Sequence, residues 1–220
     1  MASKKCFILC AGECVVDERL KAKFKACMET PGDNLVIAAD GGVKYLEALG
    51  ISADICIGDF DSVSISERKK IDRSKAQVIE LPTEKDETDT LVAIMEGIEQ
   101  GCETFYLLGA LGGQLDHTLA NLQCLLYLKE QGCDGFILDR GQTILMLKDE
   151  CIYLPEKEKG RISIFAFGGS AKGVTIEGLE YEIEDEVLEP SFPLGVSNSF
   201  AGEDVCIKVE EGCLLVIMES

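Results

Sequence analysis

The chain has 220 residues, enough for one large domain or two small ones with a sizeable core. Hydrophobic residues make up 46% and charged residues 28%, which excludes a disordered chain. With 21 basic against 40 acidic residues and a net charge of −19, neither nucleic acid nor an anionic membrane is expected as a partner. A cationic ligand, or metal ions bringing in an anionic one, suits this field better.

The N-terminal "MASKKCFILCAGECVV" has two lysines and a short apolar stretch that Glu13 interrupts. A strand turning at Gly12 is expected there rather than a signal peptide. No apolar run approaches the length of a transmembrane helix, so a soluble, cytoplasmic chain is expected.

Apolar runs follow the first, "CFILC" (6–10), at "NLVIAA" (34–39), "DICIG" (54–58), "AQVIEL" (76–81), "TFYLLG" (104–109) and "GFILD" (135–139). They are continuous rather than alternating, which predicts strands buried on both faces of a parallel sheet. Between them lie segments of helical period. Leu91, Ile94, Met95 and Ile98 form one stripe stopped by Gly101, and Leu119, Leu122 and Leu126 another stopped by Gly132. Strand alternating with helix predicts an N-terminal Rossmann-like α/β domain with a parallel sheet over residues 1–140.

From about Gly141 the texture changes. "QTILMLKDECIYL", "GRISIFAFGG", "AKGVTIEGLEYEIE" and "EDVCIKVEEGCLLVIME" are strand-like, with frequent glycines and charged turns. They predict a small all-β sandwich domain over residues 141–220. The eleven cysteines are odd in number, form no CxxC pair and in several cases sit inside apolar runs. Reduced thiols are expected rather than a disulfide scaffold, and the single histidine, His117, argues against a zinc site.

In an open parallel sheet, ligands bind beyond the carboxyl ends of the strands. Asp40 follows "LVIAA", Asp59 and Asp61 follow "DICIG", Asp86 and Asp89 follow "AQVIEL", and Asp116 follows "TFYLLG" and its glycine loop. Each acid alone has an ordinary reading: a helix cap for Asp86, Asp89 or Asp116, a turn for Asp40. Lys44 and Lys85 read equally as solvated surface. Together the acids suit Mg²⁺, a hard cation that takes oxygen ligands and accompanies polyphosphate. Gly41, Gly42, Gly109, Gly112 and Gly113 would let backbone N–H groups approach phosphates. Neither GxxxxGK[ST] nor a GxGxxG after the first strand is present.

The set "ADGG" (39–42), "GDFDS" (58–62), "DETD" (86–89), "GALGGQLDHTLAN" (109–121) and "VSNSF" (196–200) resembles the thiamine pyrophosphokinase family, of the bacterial type. The resemblance implies transfer of the pyrophosphoryl group of ATP to the hydroxyl of thiamine, giving thiamine diphosphate and AMP. It implies catalytic roles for Asp59, Asp61 and Asp89, with Asp59, Asp61, Asp86 and Asp89 holding Mg²⁺. ATP would be bound by Asp40, Gly41, Lys85, Gly112, Gly113 and Asp116, and thiamine by Asp40, Asp116, Ser197 and Asn198. A homodimer with its sites at the subunit interface is also implied. Two departures stand out: Gln114 occupies the place of the family's arginine in GGRxDH, and the chain has no tryptophan to stack on thiamine. Phe200 is the nearest aromatic to the Ser-Asn pair in sequence. "GDFDSV" alone also resembles the motif of haloacid dehalogenase-like phosphohydrolases, with Asp59 as nucleophile and Asp61 as acid. A nucleotide- or thiamine-binding protein without turnover is the third reading.

Overall fold

The computed structural model describes residues 3–61, 63–73, 75–139 and 141–219, with the backbone alone at 70, 72 and 73. Ser62 of the GDFDS motif therefore lies outside the described residues. The chain forms two compact units, Met1–Gly141 and Gln142–Ser220.

The first unit alternates strand and helix. Its strands are β1 (Lys5–Leu9), β2 (Asn34–Ala39), β3 (Ile55–Gly58), β4 (Gln77–Glu80), β5 (Thr104–Leu108) and β6 (Asp134–Asp139). They pair in parallel in the order β6-β5-β1-β2-β3-β4. The helices are α1 (Glu18–Glu29), α2 (Tyr45–Leu49), α3 (Ile65–Arg73), α4 (Asp89–Glu99) and α5 (Leu115–Glu130). From β1 the chain adds strands on one side, then crosses back to place β5 on the other. The crevice between the carboxyl ends of β1 and β5 is therefore the topological switch point.

Burial explains the elements. All five residues of β1 are buried, and Phe7 stacks on Tyr106 at 5.0 Å and meets Phe24 of α1 edge-on at 5.1 Å. Asp17 caps α1 by accepting from the Leu20 N–H at 2.8 Å. At the other end of α1 the buried Lys5 ammonium donates to the Cys27 carbonyl at 3.0 Å and to the Thr30 carbonyl at 2.6 Å. It thus satisfies carbonyls that the helix itself leaves open.

Three expectations need correction. Strand β4 is largely exposed, because it is the outer strand of the array and is not covered on both faces. Helix α4 buries Thr90, Ala93, Ile94 and Gly97, while Met95 is exposed. Close packing selects this face: a side chain on Gly97 would collide with the Phe105 ring. Helix α5 buries Asn121, Cys124, Leu125 and Leu128 and leaves Leu119 exposed. Its leucines lie on more than one side, so periodicity alone points to two faces.

The second unit contains only strands among its described residues: β7 (Gln142–Lys148), β8 (Cys151–Leu154), β9 (Arg161–Ala166), β10 (Ala171–Glu177), β11 (Ile183–Leu188), β12 (Gly195–Ser199), β13 (Val205–Lys208) and β14 (Cys213–Glu219). All their pairings are antiparallel, in the orders β12-β9-β14-β7 and β11-β10-β13-β8. The chain is thus a mixed α/β protein with a parallel sheet followed by antiparallel strands. Among the described residues, no helix is long and apolar enough to cross a membrane.

Candidate active site

The site begins with how the carboxyl end of β3 meets that of β2. Gly58 has φ +156°, and a Cβ there would stand 3.0 Å from the Asp40 Cα. Only a glycine lets the two backbones approach so closely. Asp40 itself has φ 45° and opens a short 3-10 turn over Asp40–Lys44. In the next residues Phe60 has φ 56°, a left-handed conformation that a bulky side chain rarely adopts. Its ring is buried with Ala38, Val43, Cys56 and Ile71, and the Arg68 guanidinium lies 5.0 Å from its centroid. The Asp61 N–H donates to Asp59 Oδ1 at 3.1 Å, folding the turn back on itself. Phe60 thus anchors the turn from inside while its two acidic neighbours flank it.

The outcome is a cluster of carboxylates. Oxygens of Asp40, Asp59 and Asp61 lie within 4.8 Å of one another, with Asp40 buried, Asp59 half-buried and Asp61 exposed. Asp89, the first residue of α4, faces the same charges. Burial pushes its carboxyl above the ordinary value, Lys85 pulls it back, and Asp40 and Asp59 push it up further. Lys85 Nζ sits 2.9 Å from Asp89 Oδ1. Three crowded carboxylates beside a fourth call for a cation, and an all-oxygen donor set selects a hard divalent ion. The residues present fit such a metal.

Beside the cluster lies a cavity of about 570 Å³ at the switch point. Asp40, Lys85, Asp89, Gly112, Gly113 and Gln114 are among the residues that border it. Its size is in the range of small-molecule sites. Lys44 also borders it, donating to the Ala11 carbonyl at 2.7 Å. Gly41, Asp59, Asp61, Asp86 and Asp116 do not border it: Asp86 is exposed, and Asp116, exposed in the first turn of α5, accepts from the His117 N–H at 2.8 Å. The cap of α4 is Thr88, whose hydroxyl accepts from the Leu91 N–H at 3.2 Å, so neither Asp86 nor Asp89 is used as the cap.

Several supports were not singled out in sequence. Tyr45 holds the loop after β1, its hydroxyl accepting from the Cys14 N–H at 2.8 Å and donating to the Gly12 carbonyl. Burial pushes this phenol up to about 12, so it stays protonated and able to donate. Asn121 is buried and donates to the Ala110 carbonyl at 2.7 Å, fixing the loop after β5. A lone asparagine in an apolar helix was the available signal.

In the second unit, Asn198 spends its amide on the backbone. It accepts from the Tyr181 N–H at 3.0 Å and the Ser199 N–H at 2.8 Å and donates to the Tyr181 carbonyl at 2.7 Å. Beside it, exposed Ser197 has φ 59° and donates its N–H to the Ser163 hydroxyl oxygen at 3.0 Å. Phe200 is buried, with Lys157 Nζ 5.0 Å from its ring centroid, and offers no open face. Tyr181, clamped by Asn198, is the exposed aromatic nearest in hydrogen-bonding terms to the Ser-Asn pair.

Comparison with known proteins agrees with this layout. Residues 30–137 match the model of the thiamin pyrophosphokinase catalytic domain, and residues 150–214 that of the thiamin pyrophosphokinase vitamin B1 binding domain. The chain is 26% identical to a thiamine pyrophosphokinase of Bacillus subtilis over 189 residues, covering 86% of this chain and 88% of that one. It is 27% identical over 196 residues to thiamin pyrophosphokinase 1 of Caenorhabditis elegans, covering 82% and 77% respectively. The fold matches the crystal structure of a Bacillus subtilis thiamine pyrophosphokinase with a TM-score of 0.84, at 23% identity over 98% of this chain and 99% of that chain. It matches the yeast structure with a TM-score of 0.81, at 16% identity over 100% of this chain and 87% of that chain. With the two family models together covering well over half of its length, the chain belongs to the thiamine pyrophosphokinase family.

Proposed function

We propose that the chain is an ATP:thiamine diphosphotransferase in which the Asp40, Asp59 and Asp61 cluster, beside the cavity at the switch point, holds Mg²⁺ and the phosphates of ATP. The observation that carries this reading is the approach of those three carboxylates to within 4.8 Å on a scaffold shaped for it by Gly58 and Phe60. Family membership favours this reading over the phosphohydrolase and over binding without turnover.

Mg²⁺, when bound, supplies positive charge against the phosphate oxygens as charge builds in transfer. Asp40, Asp59 and Asp61 hold it, and Asp86 and Asp89 complete the acidic surround. Lys85, released from Asp89, turns to the polyphosphate, while Gly112 and Gly113, which line the cavity, border the nucleotide. The thiamine hydroxyl attacks the β-phosphorus, AMP departs, and the alcohol's proton passes to one of Asp59, Asp61 or Asp89. Catalysis is mainly alignment, which a rigid strand-end scaffold provides.

In the same reading the first unit is a Rossmann-like catalytic domain and the second a β-sandwich that holds thiamine. Ser197 and Tyr181 face the vitamin, with Asn198 clamping the Tyr181 backbone. The working form is a cytoplasmic homodimer with sites at the subunit interface. ATP labelled at the γ-phosphorus tests the reaction: the label is expected in the terminal phosphate of thiamine diphosphate, with AMP as co-product. Label released as orthophosphate, with ADP, would refute it.

A further inference from the structure

Strands β8 and β13 carry a feature that the transfer reaction does not use. Cys151 on β8 and Cys206 on β13 have their sulfurs 3.3 Å apart. The register pairs Cys151 with Lys208 and Cys206 with Tyr153, so the cysteines are diagonal neighbours on one face of the antiparallel pair. That face is the outer one: Ile152, Leu154, Val205 and Ile207 alternate with them, and Val205 and Ile207 are buried while Cys151 and Tyr153 are exposed. Seven of the other cysteines are buried, where thiols behave as small apolar groups.

We infer that Cys151 and Cys206 form a redox modification site, a dithiol that closes to a disulfide on reaction with a low-molecular-weight disulfide. The sulfurs stand little more than an ångström beyond bonding distance, about 2.05 Å. Exposed Cys151 engages the reagent first. Its thiolate attacks one sulfur of R–S–S–R, forming a Cys151–S–S–R bond and releasing RS⁻. The Cys206 thiolate then attacks Cys151 Sγ and expels the second RS⁻. Two thiols are oxidised by two electrons, one R–S–S–R is reduced to two RSH, and the protons of the cysteines end on the released thiolates.

Cys206 is held back from the first step. Burial and the Cys151 sulfur beside it push its thiol up to about 11, which keeps it from competing for the external reagent. Exposed links are the readily reduced ones. The bond is therefore a reversible tether of the outer strand β8 to β13 rather than a permanent staple.

The test treats the full chain with excess oxidised glutathione and reads intact mass and non-reduced peptides. The expected product is lighter by two hydrogens, yields a joined peptide containing Cys151 and Cys206, and reverts with reduced glutathione. Cys206→Ser should instead stop with one glutathione held on Cys151, and Cys151→Ser should gain neither modification at this pair. Glutathione retained on Cys151 of the unmutated chain without the cross-link, or no reaction at Cys151, would overturn the inference.

Discussion

Replacing Gly42 by alanine tests how the fold places Asp40. A Cβ at this position would stand 1.9 Å from the Leu9 carbonyl oxygen and 2.5 Å from the Leu9 carbonyl carbon. Ordinary contact begins near 3.4 Å, so the 3-10 turn and the end of β1 must separate by about 1.5 Å. Backbone atoms, unlike the end of a flexible side chain, have no other place to go. Overpacking of this kind costs about 3 kcal/mol, which in a chain of this size lowers Tm by roughly 10 °C. Asp40 lies two residues away in the same turn and moves with it. A displacement near 1 Å at a reacting centre costs about 10²-fold in rate, so kcat/KM for thiamine diphosphate formation should fall by about that factor. Gly50→Ala is the control: its φ of +67° makes alanine cost about 1 kcal/mol, yet nothing lies within 4 Å of the new Cβ. Its activity should be unchanged. Thermal unfolding and initial rates of both variants decide the matter. If Gly42→Ala matches Gly50→Ala in both Tm and kcat/KM, the reasoning from close approach is wrong.

Three other expectations follow from the same geometry. Asp89 has its carboxyl raised in the folded protein by burial and by Asp40 and Asp59, so folding holds its proton more tightly than the unfolded chain does. Stability should then fall as pH rises from the unfolded to the folded pKa, and Asp89→Asn should raise Tm at neutral pH, lose that advantage on acidification, and abolish turnover. Lys5→Met removes the ammonium from the carbonyls of Cys27 and Thr30 and should cost about 2–3 kcal/mol in urea unfolding, with full activity in the folded fraction. Gln114 borders the cavity and makes no side-chain cap to α5, so Gln114→Arg should tighten ATP binding by about tenfold, measured as a fall in its KM, through a charge-assisted bond to phosphate.

Much of the first unit was legible because its strands are continuous apolar runs. "CFILC", "NLVIAA" and "TFYLLG" became β1, β2 and β5 within a residue or two at each end. The buried faces of α4 and α5 were not legible, because contact between particular side chains chose them. Thr90, Ala93 and Gly97 are buried for being small, a property that hydrophobic period does not register. Spacing and strand ends singled out Asp40, Asp59, Asp61 and Asp89, and the structure gathers the first three into one cluster. What sequence could not convey was the turn that unites them: Phe60 in a left-handed conformation and Gly58 against Asp40 are backbone facts. The backbone clamp made by Asn198 was hidden for a similar reason, since two of its three bonds reach back to Tyr181, distant in the chain. Phe200 drew notice by nearness in sequence, whereas hydrogen bonding across the unit brings exposed Tyr181 to the Ser-Asn pair.

The central claim is that the acidic cluster serves a metal-dependent pyrophosphoryl transfer. The most direct measurement is AMP and thiamine diphosphate formed from ATP and thiamine across a Mg²⁺ titration, for the unmutated chain and for Asp59→Asn. The account predicts equal amounts of both products, dependence on Mg²⁺, and loss of about 10²–10³ in rate with a weakened Mg²⁺ response in the variant. An Asp59→Asn protein that keeps full turnover with the same Mg²⁺ dependence would contradict it.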